Sequence, residues 1–266
     1  MSDSMNVVVI GGVAAGPKVA CKVARLCPQA NVTVVEKTGF ISFAGCGLPY
    51  YVAGAVKTQK DLLSTPSGVV RDPAFFQNVK NVTVRTFTEA VAIDRAQRRV
   101  KVRDVQTGKE SWLAYDYLAL ATGASPVLPP IPGMELKGVH TLHSIPDADS
   151  VRQIVEAGSV KNAVIVGGGL IGVETAESLA ERGCNVTLVE MLDQILSPLD
   201  WEMARLVEQH MAANGVRVLT STKVTAARGE NGHVTRVETS SGEILADLVV
   251  VAVGVKPNVA LAQQAG

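Results

Sequence analysis

The chain has 266 residues, with 25 Lys and Arg against 25 Asp and Glu, so its formal net charge is zero. Such balance argues against nucleic acid or an acidic membrane surface as a partner recruited by bulk electrostatics. Apolar residues make up 47% of the chain and aromatic residues only 4%, so the core must be built from Val, Ile, Leu and Ala. The length suffices for about two domains of roughly 150 residues each.

No apolar run approaches the roughly 18 residues that span a bilayer. Residues 1–6 lack the basic start and apolar stretch of a secretory signal. The four cysteines form no dense framework, and they are Cys21, Cys27, Cys46 and Cys184. We therefore expect no membrane partner and a reducing, cytoplasmic location, with all of these cysteines except Cys46 buried as structural residues.

In chain order, the predicted elements begin with a short β-branched strand, Val8–Ile10, followed by a glycine-rich turn and a helix. A second such strand, Asn31–Val35, leads to Glu36. The same order recurs in the second half, from Val164–Val166 to Asn185–Glu190, and each half later reaches a strand followed by Gly-x-x-Pro. An internal repeat of this kind indicates two copies of one structural unit.

The helix after each turn shows a 3.6-residue apolar period, which predicts the face that packs on the sheet. These faces hold Val19, Val23 and Leu26 in the first helix, and Val173, Ala176 and either Leu179 or Ala180 in the second. A further helix is predicted over Asp200–Ala213, and alternation across Thr107-Gly108 predicts a hairpin over Val100–Ala114.

Apolar strands without alternation indicate parallel sheets whose two faces are both covered by helices. The sequence therefore predicts an α/β protein with two doubly wound, Rossmann-like dinucleotide-binding domains, parallel sheets and an inserted β-hairpin. We place the first domain at residues 1–125, a Pro-rich crossover linker at 126–146 and the second domain at 147–266.

The second turn is a complete Gly-x-Gly-x-x-Gly sequence between a strand and a helix. Gly167 permits the tight turn, Gly169 lets the backbone approach a pyrophosphate, and Gly172 lets the helix pack on the strand. Glu190 follows where a carboxylate accepts the adenosine ribose hydroxyls. Because this carboxylate repels a 2′-phosphate and Met191-Leu192 supply no Arg, we predict that the second domain binds NADH in preference to NADPH.

The first turn is less regular, because Val13 stands where the middle glycine is expected. Its candidate binding residues are Gly11, Gly12, Gly16, Glu36 and Lys37. Two dinucleotide folds in one chain predict two dinucleotides, most economically FAD in the first domain and NADH in the second. The alternative is a degenerate first turn that binds nothing.

Cys46 differs from the other cysteines, because glycines flank it and Pro49 suits the first turn of a helix that begins just after it. A helix N-terminus stabilises a thiolate, which predicts a nucleophile at neutral pH. No second cysteine lies within five residues. We therefore expect Cys46 to alternate between a thiolate and a sulfenate, persulfide or mixed disulfide with a small molecule. A buried structural cysteine is the alternative.

The helices after the two turns carry charged stripes of opposite sign. Their residues are Lys18, Lys22 and Arg25 on the first helix, and Glu174, Glu177 and Glu181 on the second. We expect the cationic stripe to hold a phosphate-bearing substrate near Cys46, with Ser42 adding a hydroxyl. A solvated face without function is the alternative.

Together these segments resemble the flavin-dependent pyridine nucleotide–disulfide oxidoreductases. The similarity is to their single-cysteine branch, which comprises coenzyme A-disulfide reductases and NADH-dependent persulfide or polysulfide reductases. The matching motifs are GGVAAG, SFxxCGLPYY around Cys46, YDYLALATGASP, GGGLIGVE and VAVGVKPN. They extend over nearly the whole chain, and the cysteine motif is the most specific of them.

The resemblance implies that a hydride passes from NADH through FAD to Cys46, whose thiolate attacks a disulfide, persulfide or polysulfide. Coenzyme A disulfide or persulfide is the implied substrate, with its phosphates near the cationic stripe and Ser42. The resemblance adds two residues to each nucleotide site: Thr122 and Gly123 for FAD, and Glu174 and Gly254 for NADH.

This sequence also departs from the family pattern. Gly45 stands where relatives often carry Asn, and two lysines of the stripe replace a small polar residue and an arginine. NADH peroxidases and oxidases of this branch carry a His in the first turn, where this chain has Ala14, which argues against peroxide or oxygen as the main substrate. An NADH oxidase or peroxidase of the same fold and a non-catalytic dinucleotide-binding redox module are the alternatives.

Relatives continue past the equivalent of Gly266 with a second FAD segment and a dimerisation domain. We therefore expect this chain to be a truncated part of a homodimeric enzyme, and we expect it to bind FAD weakly or incompletely. His140 and His143 have no clustered ligands near them in the sequence, so no metal site is predicted and both are interpreted as linker surface.

Overall fold

A computed structural model describes residues 5–266; residues 1–4, part of the segment in which no secretory signal is predicted, lie outside the described residues. In chain order the strands are β1 (Asn6–Ile10), β2 (Asn31–Val35), β3 (Thr83–Arg85), β4 (Thr88–Asp94), β5 (Arg99–Asp104), β6 (Glu110–Ala114), β7 (Tyr117–Leu120), β8 (Ala124–Pro126), β9 (Val139–His140), β10 (Asn162–Val166), β11 (Asn185–Val189), β12 (Arg217–Leu219), β13 (Val224–Glu230), β14 (His233–Thr239), β15 (Gly242–Leu245), β16 (Leu248–Val251) and β17 (Val255–Pro257).

The helices are α1 (Ala15–Leu26), α2 (Leu48–Ala53), α3 (Gln59–Leu62), α4 (Pro73–Lys80), α5 (Ile145–Glu156), α6 (Leu170–Glu181), α7 (Trp201–Ala213) and α8 (Ala260–Ala265), with a 3₁₀ turn at Gly45–Gly47. Within residues 5–266, none of these helices has the length and apolar character needed to cross a bilayer. The helix predicted over Asp200–Ala213 is confirmed as α7.

The chain divides into two compact units, and the division does not follow chain order throughout. Among the described residues, the first unit contains residues 5–44, Gln59–Ala124 and Pro257–Gly266, and the second contains Gly45–Thr58 and Ser125–Lys256. The segment predicted as a linker therefore lies within the second unit, where it includes β9 and the start of α5. The division into an FAD domain, a linker and an NADH domain stays a prediction.

The first unit is built on a four-stranded parallel sheet in the order β3-β2-β1-β7. Val9 of β1 lies opposite Val34 of β2 on one side and Ala119 of β7 on the other. One face of the sheet packs against α1 and α4, through a core that includes Ala20 and Phe76. Strands β4, β5 and β6 form a three-stranded antiparallel sheet that covers the other face.

The second unit repeats this plan around a five-stranded parallel sheet in the order β12-β11-β10-β16-β9. Helix α6 packs on β10 and β11. The antiparallel sheet β13-β14-β15 contributes Val224, Val234 and Val237 to a core shared with Val164 and Val249 of the parallel sheet.

These contacts confirm the predicted α/β fold with two parallel sheets, and the hairpin over Val100–Ala114 is confirmed as β5 and β6. The expectation that helices cover both faces is wrong, because each unit places an antiparallel sheet on one face. An antiparallel sheet excludes water from the face of a parallel sheet as effectively as helices do. Unbroken apolar strands therefore do not indicate whether a sheet or helices cover that face.

The buried face of α1 also differs from the prediction. Gly16, Pro17, Ala20 and Ala24 are buried, whereas Val19 and Leu26 are exposed and Val23 packs only at the edge of the core. Small residues bring the α1 backbone close to the strands, which leaves the larger side chains outside. In α6 the predicted face is confirmed, since Ala176 and Leu179 are fully buried and Val173 is half-buried.

Candidate functional site

The second glycine-rich turn connects β10 to α6 and leaves no room for a Cβ at its first and last glycines. Gly167 has a φ of +108°, and a Cβ on it would lie 2.5 Å from the Ala252 carbonyl oxygen. A Cβ on Gly172 would lie 1.9 Å from the Gly167 carbonyl oxygen. By contrast, nothing lies within 4 Å of a Cβ placed on Gly169. The space over Gly169 is therefore open to a ligand.

Glu190 follows β11 and closes the turn through its carboxylate. Oε2 accepts the Gly168 N–H at 2.5 Å, and Oε1 accepts the Leu192 N–H at 2.8 Å. The residue is half-buried. A carboxylate has about four acceptor sites, so Glu190 keeps acceptor capacity for the hydroxyls of a ribose.

The N-terminus of α6 has no side-chain cap. Its first N–H groups lack intrahelical partners, and the helix dipole places partial positive charge there. Together with the open space over Gly169, this end of α6 suits a diphosphate.

A cleft of about 650 Å³ opens beside this turn. Four predicted residues line it: Gly167, Gly169, Glu190 and Gly254. Gly172 and Glu174 are not among the described residues of its wall; Gly172 is buried in α6, and Glu174 is half-buried on the same helix. The volume lies in the range of about 300–1,000 Å³ that is usual for cofactor sites.

Several residues of the cleft carry no sequence motif. They are Pro129, Ile131, Leu142, His143, Thr222, Lys223 and Val224. They come from the predicted linker and from the segment around the start of β13, far in sequence from the glycines. No sequence signal identified these residues as parts of the cleft. Their place beside the glycines becomes apparent only from the order of the strands in the sheet.

The first turn connects β1 to α1 with the same internal geometry. A Cβ on Gly11 would lie 2.0 Å from the Ala121 carbonyl oxygen, and a Cβ on Gly16 would lie 1.8 Å from that of Gly11. Glu36 accepts the Gly12 N–H at 2.7 Å through Oε2. Helix α1, like α6, has no side-chain cap.

Glu36 is more enclosed than its counterpart in the second unit, with only 6% of its surface exposed. Its Oε1 accepts both the N–H and the hydroxyl of Thr38, each at 2.8 Å. Lys37, beside it, is exposed. The structure therefore places Gly11, Gly12, Gly16 and Glu36 together, as predicted from their spacing.

Thr122 and Gly123 follow β7 and are held by a residue that the sequence analysis did not single out. The Thr122 hydroxyl donates to the Asn258 carbonyl at 2.7 Å, and the Asn258 side-chain amide donates to the Thr122 carbonyl at 2.9 Å. The Asn258 N–H also donates to the Gly123 carbonyl at 3.0 Å. Gly123 has a φ of +66° and open space around it. Asn258 thus fixes the end of β7.

Cys46 is exposed within the 3₁₀ turn that leads into α2, and it forms no disulfide. The prediction of a helix beginning just after it is confirmed, with Pro49 in the first turn. Cys46 belongs to the second unit, whereas the cationic stripe and Ser42 belong to the first. The predicted grouping of Cys46 with the stripe stays a prediction.

Helix α2 is anchored to α5 through Tyr51. The Tyr51 hydroxyl donates to Asp149 at 2.9 Å. The Arg152 guanidinium stacks 4.4 Å from the Tyr51 ring centroid and donates to the carbonyls of Tyr51 and Val56, each at 3.2 Å. Burial, followed by the hydrogen bond to Asp149, raises the pKa of Tyr51 above its ordinary value. Tyr51 therefore holds the helix after Cys46 in place, whereas Tyr50 is exposed.

The cationic stripe is present as predicted, since Lys18, Lys22 and Arg25 are all exposed on α1. Ser42 lies against the first turn through its N–H, which donates to the Gly12 carbonyl at 2.8 Å. Its φ is +53°, an uncommon backbone conformation for a residue other than glycine. Within residues 5–266 the Ser42 hydroxyl has no hydrogen-bond partner.

The remaining cysteines and histidines differ partly from their predicted placement. Cys184 is buried and Cys21 half-buried, and burial raises the pKa of both thiols. The prediction of a buried Cys27 is wrong, because this residue directly follows the last residue of α1 and is exposed.

The prediction that His140 is linker surface is also wrong. His140 lies half-buried in β9, where burial lowers its pKa. The part of the chain that the structure describes contains no cluster of metal-binding side chains.

Comparison with known proteins agrees with this geometry. The family model described as "Pyridine nucleotide-disulphide oxidoreductase" matches residues 5–266. The chain belongs to this family. The NAD(P)H sulfur oxidoreductase (CoA-dependent) of Pyrococcus abyssi is 38% identical over 98% of this chain and 56% of its own length. The chain thus spans about half the length of the curated relatives it matches.

Two further comparisons show the range of activities named in the family. A solved structure of an NAD-dependent persulfide reductase from A. fulgidus is 46% identical, with a TM-score of 0.94 over 98% of this chain and 48% of that one. An NADH oxidase of Methanocaldococcus jannaschii is 32% identical over 98% of this chain and 57% of its own length.

Proposed function

We propose that this chain is the nucleotide-binding and thiol-bearing part of an NADH-dependent flavoprotein that reduces a low-molecular-weight disulfide, persulfide or polysulfide. One observation carries the sulfur chemistry: Cys46 is an exposed, unpaired thiol at the start of a helix. The sulfur and persulfide reductases similar to this chain support the choice of substrate class.

The second unit is proposed to bind the pyridine nucleotide in the cleft beside the Gly167–Gly172 turn. The fit rests on the open space over Gly169, the uncapped N-terminus of α6 and the spare acceptor capacity of Glu190. The diphosphate is assigned to the helix end and the adenosine ribose to Glu190. Gly254, with a φ of +108°, borders the same cleft.

The first unit is proposed to bind FAD at the Gly11–Gly16 turn. Glu36 accepts the ribose hydroxyls in this assignment, and the open space at Gly123 lies at the carboxyl end of β7, where ligands of such sheets bind. Lys37 is exposed beside Glu36. Bound flavin would relay two electrons from NADH to the sulfur on Cys46.

The Cys46 thiolate is proposed to attack one sulfur of a disulfide, which forms a mixed disulfide on Cys46 and releases one thiolate of the substrate. Two electrons that originate from NADH then cleave this mixed disulfide. That cleavage releases the second thiolate and restores the Cys46 thiolate. The exposure of Cys46 is what this step requires of the chain.

Coenzyme A disulfide or persulfide is the proposed substrate, with its phosphates on the stripe of Lys18, Lys22 and Arg25 and on the Ser42 hydroxyl. The exposure of the stripe and the free Ser42 hydroxyl support this assignment. Lysines would act as point charges toward phosphate rather than as bidentate partners. A cytoplasmic homodimer is proposed for the complete enzyme.

The test is NADH consumption by the complete, FAD-loaded enzyme with coenzyme A disulfide, polysulfide, peroxide and oxygen compared in parallel. We expect the disulfide or polysulfide to be the fastest oxidant and Cys46→Ser to abolish its reduction. Cys27→Ser is the matched control, because Cys27 is the other exposed thiol. Retained disulfide reduction in Cys46→Ser contradicts the nucleophile assignment.

Mass spectrometry of the purified protein gives an independent test, since a coenzyme A adduct on Cys46 would identify both substrate and nucleophile. The second candidate function is an NADH oxidase, which the relative from Methanocaldococcus jannaschii favours. Oxygen consumption that equals or exceeds disulfide reduction would support this second candidate.

A further inference from the structure

Lys223 is an exposed cationic residue among those that line the cleft, and Glu190 lines the same cleft. The segment before it runs alongside the end of β11. Thr222 donates its N–H to the Glu190 carbonyl at 2.9 Å, and Ser221 donates its N–H to the Leu192 carbonyl at 2.7 Å. Lys223 thus directly follows Thr222, the residue whose backbone is hydrogen-bonded to the backbone of Glu190.

The Lys223 backbone is fixed while its ammonium is available. Its N–H donates to the Ser240 hydroxyl at 3.0 Å, but across residues 5–266 the ammonium forms no ion pair or hydrogen bond. Two other cations of the neighbouring antiparallel sheet are paired instead, Arg228 with Glu238 and Arg236 with Glu243. An unpaired cation on a cleft wall is poised to meet an anionic group of the ligand.

We propose that Lys223 binds the 2′-phosphate of NADPH, so that the cleft accepts NADPH as well as NADH and Lys223 determines how strongly. This inference rests on the proposed nucleotide site. Only the adenosine end of the two cofactors differs, and Glu190 is the group assigned to that end. Its carboxylate opposes a phosphate dianion, and the ammonium of Lys223, a residue of the same cleft wall, would offset this repulsion.

The chemistry of the neighbouring residues makes Lys223 the decisive cation. Met191 and Leu192, which follow Glu190, are exposed and uncharged, so they neither attract nor repel the phosphate. Two of the four acceptor sites of Glu190 are already engaged by backbone N–H groups. The preference for NADH that follows from Glu190 alone is therefore reduced by a residue from a distant part of the chain.

The test uses calorimetric titration of the 266-residue chain with NADH, NADPH, 5′-ADP and 2′,5′-ADP, for which turnover is not needed. In Lys223→Met, binding of NADPH and 2′,5′-ADP should weaken about 5- to 10-fold, whereas NADH and 5′-ADP should change by less than about twofold. Added salt should weaken NADPH binding more in the wild type than in Lys223→Met. Lys161→Met is the matched control, because Lys161 is exposed in the same unit but precedes β10 and does not line the cleft.

An unchanged NADPH affinity in Lys223→Met, or an equal loss for NADH and NADPH, overturns the inference and leaves the nucleotide site intact. The same holds if Lys161→Met shows the same selective loss. A wild-type chain that binds neither NADH nor 5′-ADP overturns the proposed function of the second unit, and the role of Lys223 with it.

Discussion

The two glycine-rich turns share their internal sterics. In each turn the last glycine lies against the carbonyl of the first glycine. A Cβ on Gly16 would fall 1.8 Å from the Gly11 oxygen, and a Cβ on Gly172 would fall 1.9 Å from the Gly167 oxygen. These glycines are required by the protein's own backbone, whether or not a nucleotide binds.

The turns differ at the middle position, which is Val13 in the first and Gly169 in the second. A Cβ on Gly169 would meet no atom of the protein within 4 Å. Packing therefore gives no reason for a glycine there, and the close approach of a ligand does. The comparison separates glycines that maintain the fold from the one glycine that points to a pyrophosphate.

The largest expected effect tests the shared sterics. Gly172→Ala and Gly16→Ala should each lower the free energy of unfolding by about 3 kcal/mol, because the new methyl overlaps a backbone oxygen that cannot move without opening the turn. Urea unfolding of both variants measures the effect. A loss below about 0.5 kcal/mol in either variant would contradict the steric overlap inferred for that turn.

The second prediction concerns the two carboxylates that close the turns. Glu36→Ala should cost about 2 kcal/mol of unfolding free energy, because it leaves the Gly12 and Thr38 N–H groups without their acceptor in a buried site. Glu190→Ala should cost only about 1 kcal/mol, because its site is half-buried and water can replace the carboxylate. Equal losses in the two variants would show that burial does not distinguish these sites.

The third prediction concerns α2, which precedes the second half in sequence but belongs to the second unit. Tyr51→Phe removes the hydrogen bond to Asp149 and should cost about 1 kcal/mol of unfolding free energy. Tyr50→Phe is the matched control and should change nothing measurable, because Tyr50 is exposed.

The pKa of Tyr51 adds a pH test with a definite sign. Because its pKa is raised in the folded state, the unfolded state loses the phenol proton first as pH rises above about 10. Stability should therefore fall between that pH and the folded-state pKa, and Tyr51→Phe should make this fall smaller. An identical alkaline profile in the wild type and the variant would contradict the role of the phenol.

The smallest effect on stability is expected at the position where the turns differ. Gly169→Ala should change the unfolding free energy by less than about 0.5 kcal/mol, because the methyl enters open space at a φ of −75°. Titration should nevertheless show NADH binding weakened about 10-fold or more, since the methyl occupies the approach to the diphosphate. Unchanged NADH binding would show that the nucleotide does not approach Gly169.

The order of elements in each repeat and the residues of both turns were predictable, because strand, turn and helix are determined by neighbouring residues. The same holds for Glu36 and Glu190, whose spacing from the turns follows from the length of one helix and one strand. The buried face of α1 was not predictable from hydrophobicity, since close packing favoured Ala20 and Ala24 over the larger Val19. Periodicity measures side-chain polarity and does not report how closely two backbones approach.

The sequence by itself therefore determined the repeated α/β unit, the steric glycines, the acids after the second strands and the candidate thiol at Cys46. Only the tertiary structure decided which segment covers the second face of each sheet, that Asn258 holds Thr122, and that Lys223 shares a wall with Glu190. The physical reason is distance along the chain. Backbone sterics and helix periods act between near neighbours, whereas the walls of a cleft are formed by residues that only the folded chain brings together.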